Sequence, residues 1–111
     1  MRVRILESAA HDLIGGSQFY DRQEAGLGEY FLDSLFSDID SLQLYSGIHA
    51  RHFGTFHRLL SKRFPFAVYY EFEQDTAIVY AVLDCRCDPT WIKNQLGGRA
   101  NKTLAPDVDT R

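Results

Sequence analysis

The sequence predicts an α+β domain. It should hold an N-terminal strand, an antiparallel helical hairpin packed on a mostly antiparallel sheet of about four strands, and a short C-terminal helix. Three observations carry this expectation. Apolar residues between positions 8 and 45 recur at helical spacings. Between positions 57 and 83 they alternate, which is the period of a strand. Gly26 and Gly28 interrupt the helical stretch and divide it in two.

The elements come in a clear order. "VRIL" at 3–6 reads as the first strand. Ser8 stands where a helix N-cap belongs, and Ala10, Leu13, Ile14, Ser17 and Tyr20 mark one face of the helix after it. Gly15 and Gly16 sit inside that helix, each costing about 1 kcal/mol relative to Ala, so close packing there is expected. A second helix should run over 29–45 after the "AGLGEYF" break, burying Phe31, Leu35, Ile39 and Leu42. Asp33, Asp38 and Asp40 fall off that stripe. Two helices joined by so short a link form a hairpin.

The strands come next. "HRLLSKRF" at 57–64 reads as a strand ended by Pro65. "FAVYYEFE" at 66–73 puts Phe66, Val68, Tyr70 and Phe72 on one face and Ala67, Tyr69, Glu71 and Glu73 on the other. "TAIVYAVL" at 76–83 is its hairpin partner, with Gln74 and Asp75 as the turn. Pro89 opens a last helix, "PTWIKNQL", with Trp91 expected as its anchor. Residues 1–96 make one domain on this reading, and the polar, Gly-rich stretch 97–111 a flexible tail.

Composition narrows the function class. The chain has 111 residues, 45% hydrophobic and 24% charged, with eight Phe, six Tyr and one Trp. That is a globular composition. No apolar run approaches the ~20 residues of a membrane span, and the N-terminus lacks the apolar core of a signal peptide. A cytoplasmic protein is expected, with both cysteines kept as thiols. The net charge is −3, yet residues 51–63 hold four bases, two His and no acid. That patch is either a polyanion-facing surface or a charged, solvated strand edge.

Three stretches resemble the RelE/ParE superfamily of toxin–antitoxin toxins, in its ParE-like, plasmid stabilisation branch. The first is "VRILESAAHDL" leading into "FYDRQEAGLGEYFLDSL", with the A-x-x-D-L helix, the aromatic pair and the G-L-G turn. The second is "HRLLSKRFPFAVYYEFEQDTAIVYAVL", with R-x-L, F-P-F and the Y-Y strand. The third is "DPTW", similar to the R-D-P-x-x-W ending. Together they span residues 3 to about 96. The resemblance implies a toxin neutralised by a cognate antitoxin, whose disordered segment folds over the toxin's groove and sheet edge. It implies either DNA gyrase or ribosome-bound mRNA as the target, and a homodimer or a heteromer with antitoxin. No cofactor is implied.

The corner "DCRCDP" departs from that family. Asp84 stands where the family has His, and Cys87 where it has the Arg before Asp-Pro; Arg86 sits one residue early. The cysteines read as substitutions at a strand end. A metal site is the sharper alternative, but structural zinc wants four ligands, and Cys-x-Cys lacks the spacing of a redox pair. If the chain cleaves RNA, Arg58, Lys62, Arg63 and Arg86 are the catalytic candidates for stabilising the phosphate. Tyr69, Tyr70 and His57 are the groups able to move a proton, though each also reads as packing or structure. These residues do not assemble into a nuclease centre on sequence grounds. A gyrase-type protein target is therefore the first expectation, mRNA cleavage the second, and an inactive antitoxin-binding relic the third.

Overall fold

The computed structural model describes residues 2–52 and 54–100. The elements are β1 (Arg2–Ile5), α1 (Glu7–Gln23), α2 (Leu27–Asp40), α3 (Leu42–Tyr45), β2 (Arg51–His52), β3 (Phe56–Leu60), β4 (Phe66–Glu73), β5 (Thr76–Asp84) and α4 (Pro89–Ala100). The strands form one sheet in the order β1-β5-β4-β3-β2. Only β1 runs parallel to its neighbour, β5; the other pairs are antiparallel. The expected α+β architecture is present. The sheet has five strands, because the two residues of β2 add an edge that carries no strand period.

The helical hairpin covers one face of the sheet. Ala9, Leu13, Phe31, Leu35, Ile39 and Leu42 meet Phe66, Val68, Tyr70 and Val79 there. α4 covers the other, where Ile92 and Leu96 meet Ala67, Tyr69, Tyr80 and Leu83. Alternation in β4 thus feeds two cores. β5 has a bulge: Tyr69 faces Ala81 while Tyr70 faces Val79, so Tyr80 is the extra residue. Tyr80 and Ala81 consequently both join the α4-side cluster.

The hairpin is tight at two glycines. A Cβ on Gly16 would lie 2.6 Å from Phe31 Cζ, and one on Gly28 would meet the Ser17 carbonyl oxygen. The link turns at Gly26, whose φ is +90°. Asp21 Oδ1 then accepts the Gly26 and Gly28 N–H groups at 3.1 and 3.0 Å. In the β4–β5 hairpin Gln74 and Asp75 take φ of 49° and 62°, the left-handed pair that a two-residue turn demands.

Several expectations are corrected. α1 begins at Glu7 after Leu6, without a side-chain cap. Its buried face runs through Ala9, Leu13 and Gly16, and Ile14 is 51% exposed. The second helix ends at Asp40 and restarts at Leu42. Between them the Ser41 hydroxyl donates to the Asp38 carbonyl at 2.6 Å, competing for a helical acceptor. Asp38 itself is only 6% exposed. The third strand stops at Leu60, and Lys62 and Arg63 lie in a turn closed by Ser61 N–H on the Phe66 carbonyl (2.8 Å). Trp91 is 43% exposed; Ile92 and Leu96 anchor α4 instead. α4 also continues past residue 96 through Ala100, so the expected tail starts as helix. Residues 101–111 lie outside the described residues.

Candidate functional site

Two turns meet at one end of the sheet: residues 61–65 between β3 and β4, and residues 85–88 between β5 and α4. They are joined by Cys85 N–H donating to the Pro65 carbonyl at 2.9 Å. The F-P-F stretch sets this end. Phe64 lies edge-on to Tyr20 (4.8 Å between centroids) and to Phe31 (5.1 Å), and Tyr30 sits 5.5 Å from it. Phe66 continues the block into the core at 4.9 Å from Phe31. Such aromatic pairs add to simple burial, so the block holds both turns on the hairpin.

The predicted basic residues distribute around this block. Arg63 places its guanidinium 6.0 Å from the Tyr30 ring centroid, within cation–π range, and Lys62 beside it is exposed. Arg86 is folded back onto Asp84. Its Nε and Nη2 donate to the two carboxylate oxygens at 3.0 and 2.7 Å, and its backbone N–H donates to Oδ1 at 2.8 Å. Those donors hold the Asp84 carboxyl below the usual carboxylate range, and Asp84 raises the Arg86 guanidinium in turn. Arg86 also faces Tyr20, whose phenol burial pushes up and Arg86 pulls down.

Arg58 lies elsewhere. It pairs across strands with Tyr69, on the α4 side of the sheet, where its guanidinium engages the Tyr69 phenol. Burial raises the Tyr69 pKa and Arg58 partly offsets this. Arg63 and Arg86 therefore share the aromatic end, with Lys62 in the same turn, while Arg58 belongs to the opposite layer. Tyr69 and Tyr70 are completely buried phenols raised by burial, and an incoming substrate has no access to them. Among the described residues no three His, Cys, Asp or Glu side chains converge as metal ligands.

Two constellations were not anticipated. In the first, the Tyr70 hydroxyl accepts the Gly47 N–H at 3.0 Å and lies 2.5 Å from His49 Nδ1. His57 donates from Nδ1 to the His49 carbonyl at 2.7 Å and stacks on Tyr70. In the second, Asp12 on α1 pairs with Arg99 on α4 beside the edge of β5. Neither leaves a local signature, because the partners come from different elements.

No protein-family model and no curated protein matches the sequence. Among solved structures the chain is similar to one described as the chromosomal ParDE TA system from P. aeruginosa, at 15% identity and a TM-score of 0.68. The match covers 74% of this chain and 92% of that one. The likeness establishes a fold shared with that chain of the ParDE system.

Proposed function

We propose that this chain is the toxin of a type II toxin–antitoxin pair, neutralised by a cognate antitoxin, and that it acts by binding a protein target such as DNA gyrase. The fold likeness carries the reading: the chain matches 92% of the length of a chain from a ParDE system. The site chemistry supports a binding role over a catalytic one. Arg86 is occupied by Asp84, Arg58 lies in another layer, and the tyrosines able to move protons are buried. Exposed apolar side chains, Leu44, Tyr45, Ile48 and Phe72 among them, offer surface for a protein partner.

A second reading is ribosome-dependent mRNA cleavage. Arg63, Lys62 and Arg86 around Tyr20, Tyr30 and Phe64 favour it, since cations beside aromatic rings suit single-stranded RNA.

The test is growth under tight induction, alone and with the adjacent small gene. Arrest relieved by the neighbour supports the toxin. DNA-damage signalling during arrest supports the gyrase-type target. New mRNA 3′ ends that vanish in Lys62→Ala/Arg63→Ala support cleavage instead. Unaffected growth at confirmed expression overturns the toxin reading and leaves an antitoxin-binding relic.

A further inference from the structure

Residues 46–50 cross from α3 to the sheet edge at β2. Backbone bonds anchor both ends. Ser46 N–H donates to the Leu42 carbonyl at 3.2 Å, and the Ala50 carbonyl accepts the Arg58 N–H at 3.1 Å. Between those anchors, the polar contacts that tie the segment to the sheet end on Tyr70 or His57. Gly47 N–H donates to the Tyr70 hydroxyl at 3.0 Å, and His49 Nδ1 lies 2.5 Å from the same hydroxyl. The His49 carbonyl lies 2.7 Å from His57 Nδ1. His57 stacks on the Tyr70 ring, with centroids 5.2 Å apart. Tyr70 is completely buried and His57 nearly so.

We propose that this cluster is a proton-operated latch: at neutral pH it holds residues 47–49 on the sheet, and protonation of His49 releases them. Hydrogen-bond valence gives the reason. The Tyr70 hydroxyl has one proton to give. Gly47 N–H already donates to it. A neutral His49 ring can offer a lone pair at Nδ1 and take that proton, which satisfies all three groups. A protonated ring carries N–H at both nitrogens and can only donate. The hydroxyl then receives two donors and keeps a proton without an acceptor. Such an orphaned donor is costly in a completely buried group.

The surroundings do not favour a charged ring either. Facing His49 are Tyr70 on β4 and His57 on β3. Arg51 on β2 pairs with His57 across the strands and so shares its face. α3 brings Tyr45 and no acid. Glu71 follows Tyr70 on β4, but the strand period turns it to the other face, where it accepts from the Thr55 hydroxyl. Burial, and then the neighbouring His57, lower the His49 pKa accordingly. The latch also shapes the surface. Ile48, largely exposed, rides on the segment, and a Cβ on Gly47 would lie 3.5 Å from the Phe72 ring. Release separates Ile48 from Phe72, so the apolar patch is whole only while the latch is closed. The latch rests on this geometry and is independent of the toxin reading.

The test is amide hydrogen exchange of the full chain, read by NMR from about pH 7.5 to about pH 5, with each rate corrected for its intrinsic pH dependence. Protection at Gly47 and Ile48 should fall as the pH drops below about 6.5, by up to about tenfold per pH unit, the slope of one bound proton. The amides of β4 and β5 should keep theirs. In the parent, the His49 ring signals should titrate in step with that loss. His49→Asn should remove the pH dependence, and Tyr70→Phe should leave Gly47 weakly protected already at neutral pH. The proposal is overturned if Gly47 keeps its protection over the whole range, or if His49→Asn loses protection with pH as the parent does. It is also overturned if β4 and β5 open together with the segment, which is global unfolding.

Discussion

Tyr70 has no exposed surface, yet its hydroxyl is engaged on both sides. It accepts from Gly47 N–H at 3.0 Å and meets His49 Nδ1 at 2.5 Å. Burial, and after it the neighbouring His57, push the His49 pKa below its ordinary value. The folded state therefore binds fewer protons than the unfolded state below about pH 6.5. Stability from this site is present above that pH and is lost as the pH falls towards the folded pKa. Urea midpoints from about pH 7.5 to pH 5 should drop further for the parent than for His49→Asn. Equal drops would remove His49 as the cause. Tyr70→Phe leaves the Gly47 N–H and His49 Nδ1 without this partner and should cost about 1–3 kcal/mol in the same assay. The strand alternation grouped Tyr70 with Phe66 and Val68 on one face, and the helical hairpin covers that face. His49 was invisible as its partner, because it arrives from a loop 21 residues away with no period to betray it. The Asp84–Arg86 pair, by contrast, is a surface contact, with the Arg86 side chain 63% exposed. Arg86→Ala should leave the urea midpoint essentially unchanged.

At the scale of elements, the decisive feature is the edge of β5. β1 pairs only with Thr76 to Val79, so β5 runs on past its neighbour. Unpaired backbone groups there would be costly if buried. α1 takes over the edge: Ser8 Oγ donates to the Tyr80 carbonyl at 3.0 Å, and Asp12 Oδ2 accepts the Val82 N–H at 2.9 Å. Arg99 from α4 joins them, donating to Asp12 Oδ1 at 3.0 Å and to the Tyr80 carbonyl at 3.2 Å. Ser8 was legible as a polar residue at a helix start, but a strand edge, not the helix, is what it serves. The motif "AAHDL" now has a physical content: Ala9 and Leu13 face the core while Asp12 caps the sheet. Asp12→Ala should cost about 2–4 kcal/mol, since it strands the Val82 N–H and the Arg99 guanidinium together. Arg99→Ala should cost less, and the double variant should fall short of the sum. Strict additivity would mean the pair does not act as one cap. The hairpin gives a paired contrast. Gly16→Ala forces a Cβ into Phe31 and should destabilise by about 1–3 kcal/mol, whereas Gly15 has open space. Gly15→Ala should stabilise by about 0.5–1 kcal/mol.

The whole molecule is three layers, with the helical hairpin and α4 on opposite faces of one sheet. The order of periods reveals the sheet and the hairpin packed on it, but not the third layer, because the short stretch from Pro89 carries no sign of which face its helix covers. The patch beyond the second helix was not legible. The stripe of that helix ends with Leu42, and the residues after it turn outward: Leu44 is 78% and Ile48 72% exposed, with Tyr45 and Phe72 also open. A Cβ on Gly47 would touch Phe72, so this loop and the end of β4 form one surface. Side chains of this size left in water favour association, at roughly 25 cal/mol for each Å² they bury. The isolated chain should therefore scatter light as a species heavier than its own 12.7 kDa. Leu44→Ser/Ile48→Ser should return it towards 12.7 kDa with unchanged circular dichroism, because neither side chain supports the core. If the parent is already a clean monomer, the patch does not drive self-association. If the double variant stays as heavy as the parent, association runs through another face, and the exposed Phe19 and Tyr30 of the hairpin are the next to substitute.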